Sequence, residues 1–173
     1  SSMEQRKSEL LEQRAEDVPK RSVPDGVCFL MATVDVQAGR NRRFVVQVTG
    51  YGSMGERWLV DRYNIRQSMR YDGNGESQQI DPASYPEDWD LLLTDVFNKG
   101  WPLASDPNRC MRLMAMAVDS GGEDGVTDNA YKFWRRCRRE GLGKQIYLFK
   151  GDSVRRSKLI SRTFPDNTCL LYT

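Results

Sequence analysis

Two apolar runs, each closing on a single aspartate, constrain this chain more than any other feature. They are Met31-Ala32-Thr33-Val34-Asp35-Val36 and Met114-Ala115-Met116-Ala117-Val118-Asp119, the second followed by Ser120-Gly121-Gly122. Short runs rich in Val, Met and Ala, bounded by turn residues, read as buried strands. An aspartate at the exit of such a strand sits at the carboxyl edge of a sheet, where open α/β folds place their ligands. If the two strands are parallel neighbours, about 4.8 Å apart, their carboxylates converge and can share a divalent cation. That arrangement suits metal-dependent phosphoryl chemistry. The competing reading is that each aspartate simply caps a turn.

Composition narrows the chemistry further. The chain of 173 residues contains no histidine, which removes Ser-His-Asp and Cys-His catalysis, histidine-ligated zinc and imidazole bases. No G-x-x-x-x-G-K-[ST] loop occurs, so there is no recognisable nucleotide-driven motor. No stretch approaches the roughly 18 apolar residues of a membrane span, and a cytoplasmic protein is expected. Cys28, Cys110, Cys137 and Cys169 are scattered without a C-x-x-C pair, which reads as reduced thiols. The length fits one domain with a real core.

The net charge of +2 conceals an asymmetry. Residues 132–162 carry eleven Lys and Arg against only Glu140 and Asp152, whereas residues 1–131 carry fifteen basic and twenty-one acidic side chains. Cations beside a carboxylate cluster are what a metal-using nuclease requires: the cations engage phosphates and the carboxylates hold ions. A solvated helix face followed by a basic loop has the same composition.

Along the chain, residues 3–16 are strong helix formers with almost no apolar face, and residues 1–24 read as a linker helix from a preceding domain. Val23-Pro24 and Asp25-Gly26 stop it, and residues 25–173 form the domain proper. Strands are predicted over about 27–36, 44–51 and 57–63, joined by short turns into an antiparallel meander. The polar residues 66–83, with Gly73, Gly75 and Pro82, read as an irregular loop. A helix is predicted next, with Ser84 and Glu87 as a capping box and a stop at Gly100 and Pro102. Trp89, Leu92, Leu93, Val96 and Phe97 would form its buried face. The second acidic strand spans about 111–119. Thr127 or Asp128 would cap a further helix whose core face is Ala130, Phe133, Trp134 and Cys137. Gln145–Phe149 is another strand, and Cys169–Tyr172 begins one more.

The predicted order is β-β-β-α-β-α-β, an α/β mixed sheet flanked by helices, with right-handed crossovers after the meander. This is the order of ribonuclease-H-like (RNase H-like) domains, in which the first strand lies beside the one after the first crossover helix. A split-sheet α+β domain with no site shares it.

Five segments, in order and spacing, carry a more specific likeness: Val23-Pro24-Asp25-Gly26-Val27, Val34-Asp35-Val36-Gln37, Trp58-Leu59-Val60-Asp61-Arg62, Val118-Asp119-Ser120-Gly121-Gly122 and Phe149-Lys150-Gly151. From about Val18 onward the chain resembles the nuclease domain of the large terminase subunit of tailed bacteriophages, of the lambda type. The resemblance implies an RNase H-like endonuclease that cuts concatemeric double-stranded viral DNA during packaging. It also implies a preceding ATPase domain in the same polypeptide, with the small terminase subunit and the portal as partners, in the cytoplasm of the bacterial host. Asp35 corresponds to the family's first catalytic carboxylate and Asp119 to its second. A third normally follows the last strand, and is expected beyond Thr173.

Two Mg²⁺ or Mn²⁺ ions are the expected cofactors, since hard cations prefer oxygen ligands. Asp35 would bridge them and Asp119 would bind one. Asp61 either joins this metal site or pairs with Arg62 or Arg57. Lys150 is expected to contact a phosphate, and Arg155, Arg156 and Lys158 either grip DNA non-specifically or lie in a loop. Two other functions fit the same residues: a resolvase or integrase core, and a non-catalytic DNA-binding or portal-docking module.

Overall fold

The computed structural model describes residues 21–150. Three long strands open it: β1 (Val27–Gln37), β2 (Arg43–Gly52) and β3 (Arg57–Ile65). They form the expected antiparallel meander, with β2 between β1 and β3. A short hairpin follows, β4 (Gln67–Tyr71) and β5 (Ser77–Gln79). A 3₁₀ turn (Pro86–Asp90) and a π-helical turn (Leu93–Phe97) then lead to β6 (Gly100–Pro102). The chain continues through β7 (Cys110–Asp119), α1 (Val126–Arg139) and β8 (Ile146–Phe149).

The main sheet runs β3-β2-β1-β7-β6, with β8 paired to β7. β7 lies parallel to both β1 and β8, so the sheet is mixed. β1 is central, and this explains its near-continuous apolar sequence: it is flanked by strands on both sides and covered until Asp35 emerges into solvent. β2 alternates instead, burying Phe44, Val46 and Val48 while exposing Gln47.

One face of the sheet carries the core. Leu30, Ala32, Val34 and Val36 of β1, Met116 and Val118 of β7, and Ile146 of β8 pack there with the helical segments. A ladder of rings joins the layers: Phe44 meets Trp89 at 5.5 Å and Trp89 meets Phe133 of α1 at 5.8 Å. Two buried side-chain N–H groups of this layer share one acceptor. The Trp89 indole and the Asn129 amide both donate to the Pro82 carbonyl, at 3.0 and 2.9 Å. Burial, outweighing nearby Arg136, pushes the Cys137 thiol up to about 11.

Several expectations are corrected. The loop predicted over 66–83 contains the β4–β5 hairpin, which buries little apolar surface and so leaves no hydrophobic pattern to read. The helix predicted after Ser84 is a 3₁₀ turn running into a π turn, with Asn98 N–H donating to Leu93 O at 2.8 Å. Ser84 does not cap it; Tyr85 holds the cap position without a side-chain bond. α1 starts at Val126 after Gly125, so Thr127 and Asp128 lie inside its first turn. Trp134 is only half-buried. Cys110 is exposed and Cys137 buried, and both are free thiols. Val23, assigned to the linker by sequence, is 2% exposed and bridges to Leu103. The predicted helix over 3–16 and the strand at Cys169–Tyr172 lie outside the described residues.

Candidate active site

The central site is built by register. In the parallel β1–β7 ladder, Asp35 is the direct partner of Asp119. Register partners on neighbouring strands point to the same face, with backbones about 4.8 Å apart. Both aspartates end the apolar part of their strand, so two carboxylates share the carboxyl edge of the sheet on the face opposite the main core. Asp35 is exposed and Asp119 is 8% exposed.

Neighbouring groups hold both carboxylates in place. Gln37, two residues on and therefore on the same strand face, donates its amide to Asp35 Oδ2 at 2.7 Å. Gly121 N–H donates to Asp119 Oδ1 at 3.0 Å. Gly121 turns the chain with φ +74°, and Ser120 ties the turn to β8 by donating its N–H to Phe149 O at 2.9 Å. Phe149 is the register partner of Asp119, so Lys150 leaves β8 beside the carboxylate pair. A Cβ built on Gly122 would stand 3.1 Å from Lys150 Cε, so the lysine stem lies directly over the glycine turn.

Asp61 is not brought to this site. It pairs in register with Val48, and Val48 with Ala32, so it shares the core face. Asp35 lies three residues further along β1 and points to the other side, with about 14 Å between the two backbone positions. Asp61 is 5% exposed, accepts the Trp101 indole N–H at 2.9 Å and pairs with Arg21 at 3.5 Å. It serves as a buried acceptor that locks β3 to the β6 segment. Among the described residues, no group of three or more His, Cys, Asp or Glu side chains gathers at one point. Arg155, Arg156 and Lys158 lie outside the described residues, as does the expected third carboxylate beyond Thr173.

Two features escaped the sequence reading. Gln37 was legible, because Asp-x-Gln on one strand places both side chains on one face. A cleft of about 340 Å³ beside the site was not. Its walls include Ser120, Tyr131, Trp134, Tyr147 and Lys150, drawn from α1, β8 and the turn between β7 and α1. It arises because Trp134 turns from the core towards the β8 edge, with Arg138 stacked 4.8 Å from its ring.

A family model described as the terminase large subunit gpA, endonuclease domain, matches residues 1–169. The chain belongs to this family. It is thus an endonuclease domain of a phage terminase large subunit, a component of the DNA-packaging assembly. Comparison with curated proteins gave no match, nor did comparison with solved structures. Within the terminase domain, no helix among the described residues is long and apolar enough to cross a membrane.

Proposed function

We propose that this terminase domain is an RNase H-like, metal-dependent endonuclease that hydrolyses phosphodiester bonds of concatemeric double-stranded viral DNA, with Asp35 and Asp119 as its metal-holding carboxylates. The observation that carries the reading is the register pairing of those two aspartates at the carboxyl ends of adjacent parallel strands. The meander-plus-parallel sheet order supports the RNase H-like assignment.

The donor set suits a hard divalent cation: two carboxylates with convergent origin, all oxygen, and no competing imidazole or thiolate within the pair. Mg²⁺ or Mn²⁺, two ions in the full site, would lower the pKa of an attacking water and offset charge on the leaving oxygen. Asp35 and Asp119 supply the negative charge that concentrates cations at the sheet edge. Gln37 fixes the orientation of Asp35, and the Gly121 N–H fixes Asp119. With no side chain at Gly121 or Gly122, the DNA backbone can approach closely. Lys150, lying over that turn, provides a cation for a non-bridging phosphate oxygen.

The residues before Val23 are proposed to link this domain to an ATPase domain of the same polypeptide, and the portal and small subunit to be its partners in the host cytoplasm. A further carboxylate from outside the described residues would complete the ligand set.

Asp35→Asn tests the reading. It keeps size and hydrogen bonding but removes the charge that holds cations, so Mn²⁺-dependent cleavage of duplex DNA should be lost. Stability should stay level or rise, because repulsion between neighbouring carboxylates is relieved. An Asp35 that only caps a turn predicts no loss, since asparagine caps equally well. Retained cleavage in the asparagine variant would refute the assignment. Strand joining instead of simple hydrolysis would favour a resolvase or integrase core.

A further inference from the structure

At the turn joining β1 to β2, two guanidinium groups converge on Asn41. Arg43 donates from Nη1 to the Asn41 carbonyl at 2.9 Å, and Arg66, just past β3, donates to the Asn41 side-chain oxygen. Arg42 donates from Nε to Ile80 O at 2.9 Å, and Arg40 stands exposed beside it. Gln79 of β5 donates to the carbonyls of both Arg40 and Arg42, which pins the turn against the hairpin. The ion pairs formed among the described residues engage Arg21, Arg70 and Arg136, and none of these four arginines. The Arg43 Nε is buried with no acceptor, a deficit that costs free energy until an acceptor is supplied. Arg43 and Arg66, brought together on Asn41 without a carboxylate partner, form a site for an anion.

Its position identifies the anion. Arg43 is the register partner of Gln37 and shares the face of Asp35, with about 8 Å between the Arg43 and Asp35 backbones. Lys150 lies on the opposite flank, beyond β8. The carboxylate pair is therefore bracketed by cations across the strand order, with arginines on the β2 side and lysine on the β8 side. Each strand of a duplex presents a phosphate every 3.4 Å or so of axis, so a backbone crossing the site would bring a neighbouring phosphate to the arginines. The planar guanidinium fork matches phosphate oxygens better than an ammonium does.

We propose that Arg43 and Arg66, with the exposed Arg40 of the same turn, form a phosphate clamp that holds the DNA strand on the β2 side of the carboxylate pair. This inference rests on the nuclease reading above for its substrate, and the two can fail separately.

The test is the salt dependence of binding to a short mixed-sequence duplex, in EDTA so that no cleavage intervenes. Each lost phosphate contact lowers the slope of log K against log salt by about 0.9. Arg40→Gln with Arg66→Gln should therefore lower it by about 2, while the double lysine variant should keep it. Arg40→Gln alone, at an exposed side chain, should lower it by about 1 and serves if the double variant unfolds. An unchanged slope in the glutamine variants, or no duplex binding at all, overturns the clamp. Asp35→Asn separates the two readings. If wild type cleaves through Asp35 while the glutamine variants keep the full slope, the clamp fails alone. If the slope falls as expected but a chain extended beyond Thr173 to carry the third carboxylate never cleaves with Mn²⁺, the clamp stands and the nuclease reading fails.

Discussion

Gly121 holds φ +74°, whereas the neighbouring Gly122 has no such constraint and faces the stem of Lys150. A side chain at Gly121 forces an L-residue into the left-handed region, which costs roughly 1–2 kcal/mol. Gly121→Ala should therefore lower the unfolding free energy read from urea titration by about that amount. Gly122→Ala should leave stability within about 0.5 kcal/mol, because the 3.1 Å contact is with the end of a flexible lysine that can move aside. It should nevertheless weaken duplex binding, since Lys150 is displaced from the site. Equal effects of the two variants on stability would refute this division, and urea titration with a parallel binding isotherm measures both. Sequence alone marked both glycines as permissive but could not separate them, because φ and the Lys150 contact depend on where β8 lies. The same limit applies to the aspartates. Asp35 and Asp61 both lie towards the ends of apolar strands, and what distinguishes them is the face each strand presents. Trp101, forty positions beyond Asp61, supplies the indole that makes Asp61 a structural acceptor.

At the scale of elements, the β4–β5 hairpin is held by charge rather than by apolar contact. Arg70 of β4 reaches Asp88 of the 3₁₀ turn through Nε at 3.1 Å and Nη2 at 2.8 Å, and its guanidinium stacks 3.4 Å from the Tyr85 ring centre. Ser68 and the Asp81 N–H also donate to Asp88, which is 2% exposed. Burial pushes the Asp88 carboxyl up, but the bonds from Arg70, Ser68 and Asp81 prevail and hold it below its usual value. A carboxylate with a depressed folded pKa contributes stability that is complete above its unfolded value of about 3.9 and is lost as pH falls through the folded one. The wild-type domain should thus lose stability below about pH 4 through this group. Asp88→Asn should lower stability at neutral pH by about 3 kcal/mol, because Arg70 keeps its burial without a counter-charge. Its acid limb should be flatter than that of wild type; urea unfolding at neutral and acid pH measures both, and a parallel acid limb would sink the account. None of this clamp was legible beforehand. An apolar stripe at i, i+3, i+4, i+7 and i+8 correctly marks Trp89, Leu92, Val96 and Phe97 as buried. It reports a face, however, and not the pitch, so a 3₁₀ turn followed by a π turn satisfies it as well as an α-helix does.

For the molecule as a whole, the site depends on an architecture that joins distant sequence. Asp35 and Asp119 meet only because β7, after the hairpin and the helical turns, returns parallel to β1 in a register that aligns their ends. That much was legible, since each apolar run closes on its aspartate and the element order places the two strands side by side. The meeting of Arg66 with Arg43 was not, because the two lie far apart in sequence and only the β2–β3 pairing sets them side by side. If the two carboxylates hold a cation as proposed, there is a thermodynamic consequence that the unfolded chain does not share: only the folded state brings them together. A ligand that binds only the folded state stabilises it by RT ln(1 + [L]/Kd), about 2.7 kcal/mol at a hundredfold excess over Kd. For a domain of this size that corresponds to a rise in Tm of roughly 5–10 °C. Saturating Mn²⁺ should therefore raise the Tm of wild type, and EDTA should reverse the rise. Asp35→Asn and Asp119→Asn should each abolish most of the increment, and Asp35→Asn should melt at or above the metal-free wild type because the repulsion is gone. Asp61→Asn should do the opposite: a lower Tm without metal, since the Trp101 and Arg21 contacts weaken, but the full Mn²⁺ increment. Calorimetric melts of the four proteins with and without Mn²⁺ decide it. An increment that survives in Asp35→Asn and vanishes in Asp61→Asn would move the cation to the other face of the sheet and refute the site built here.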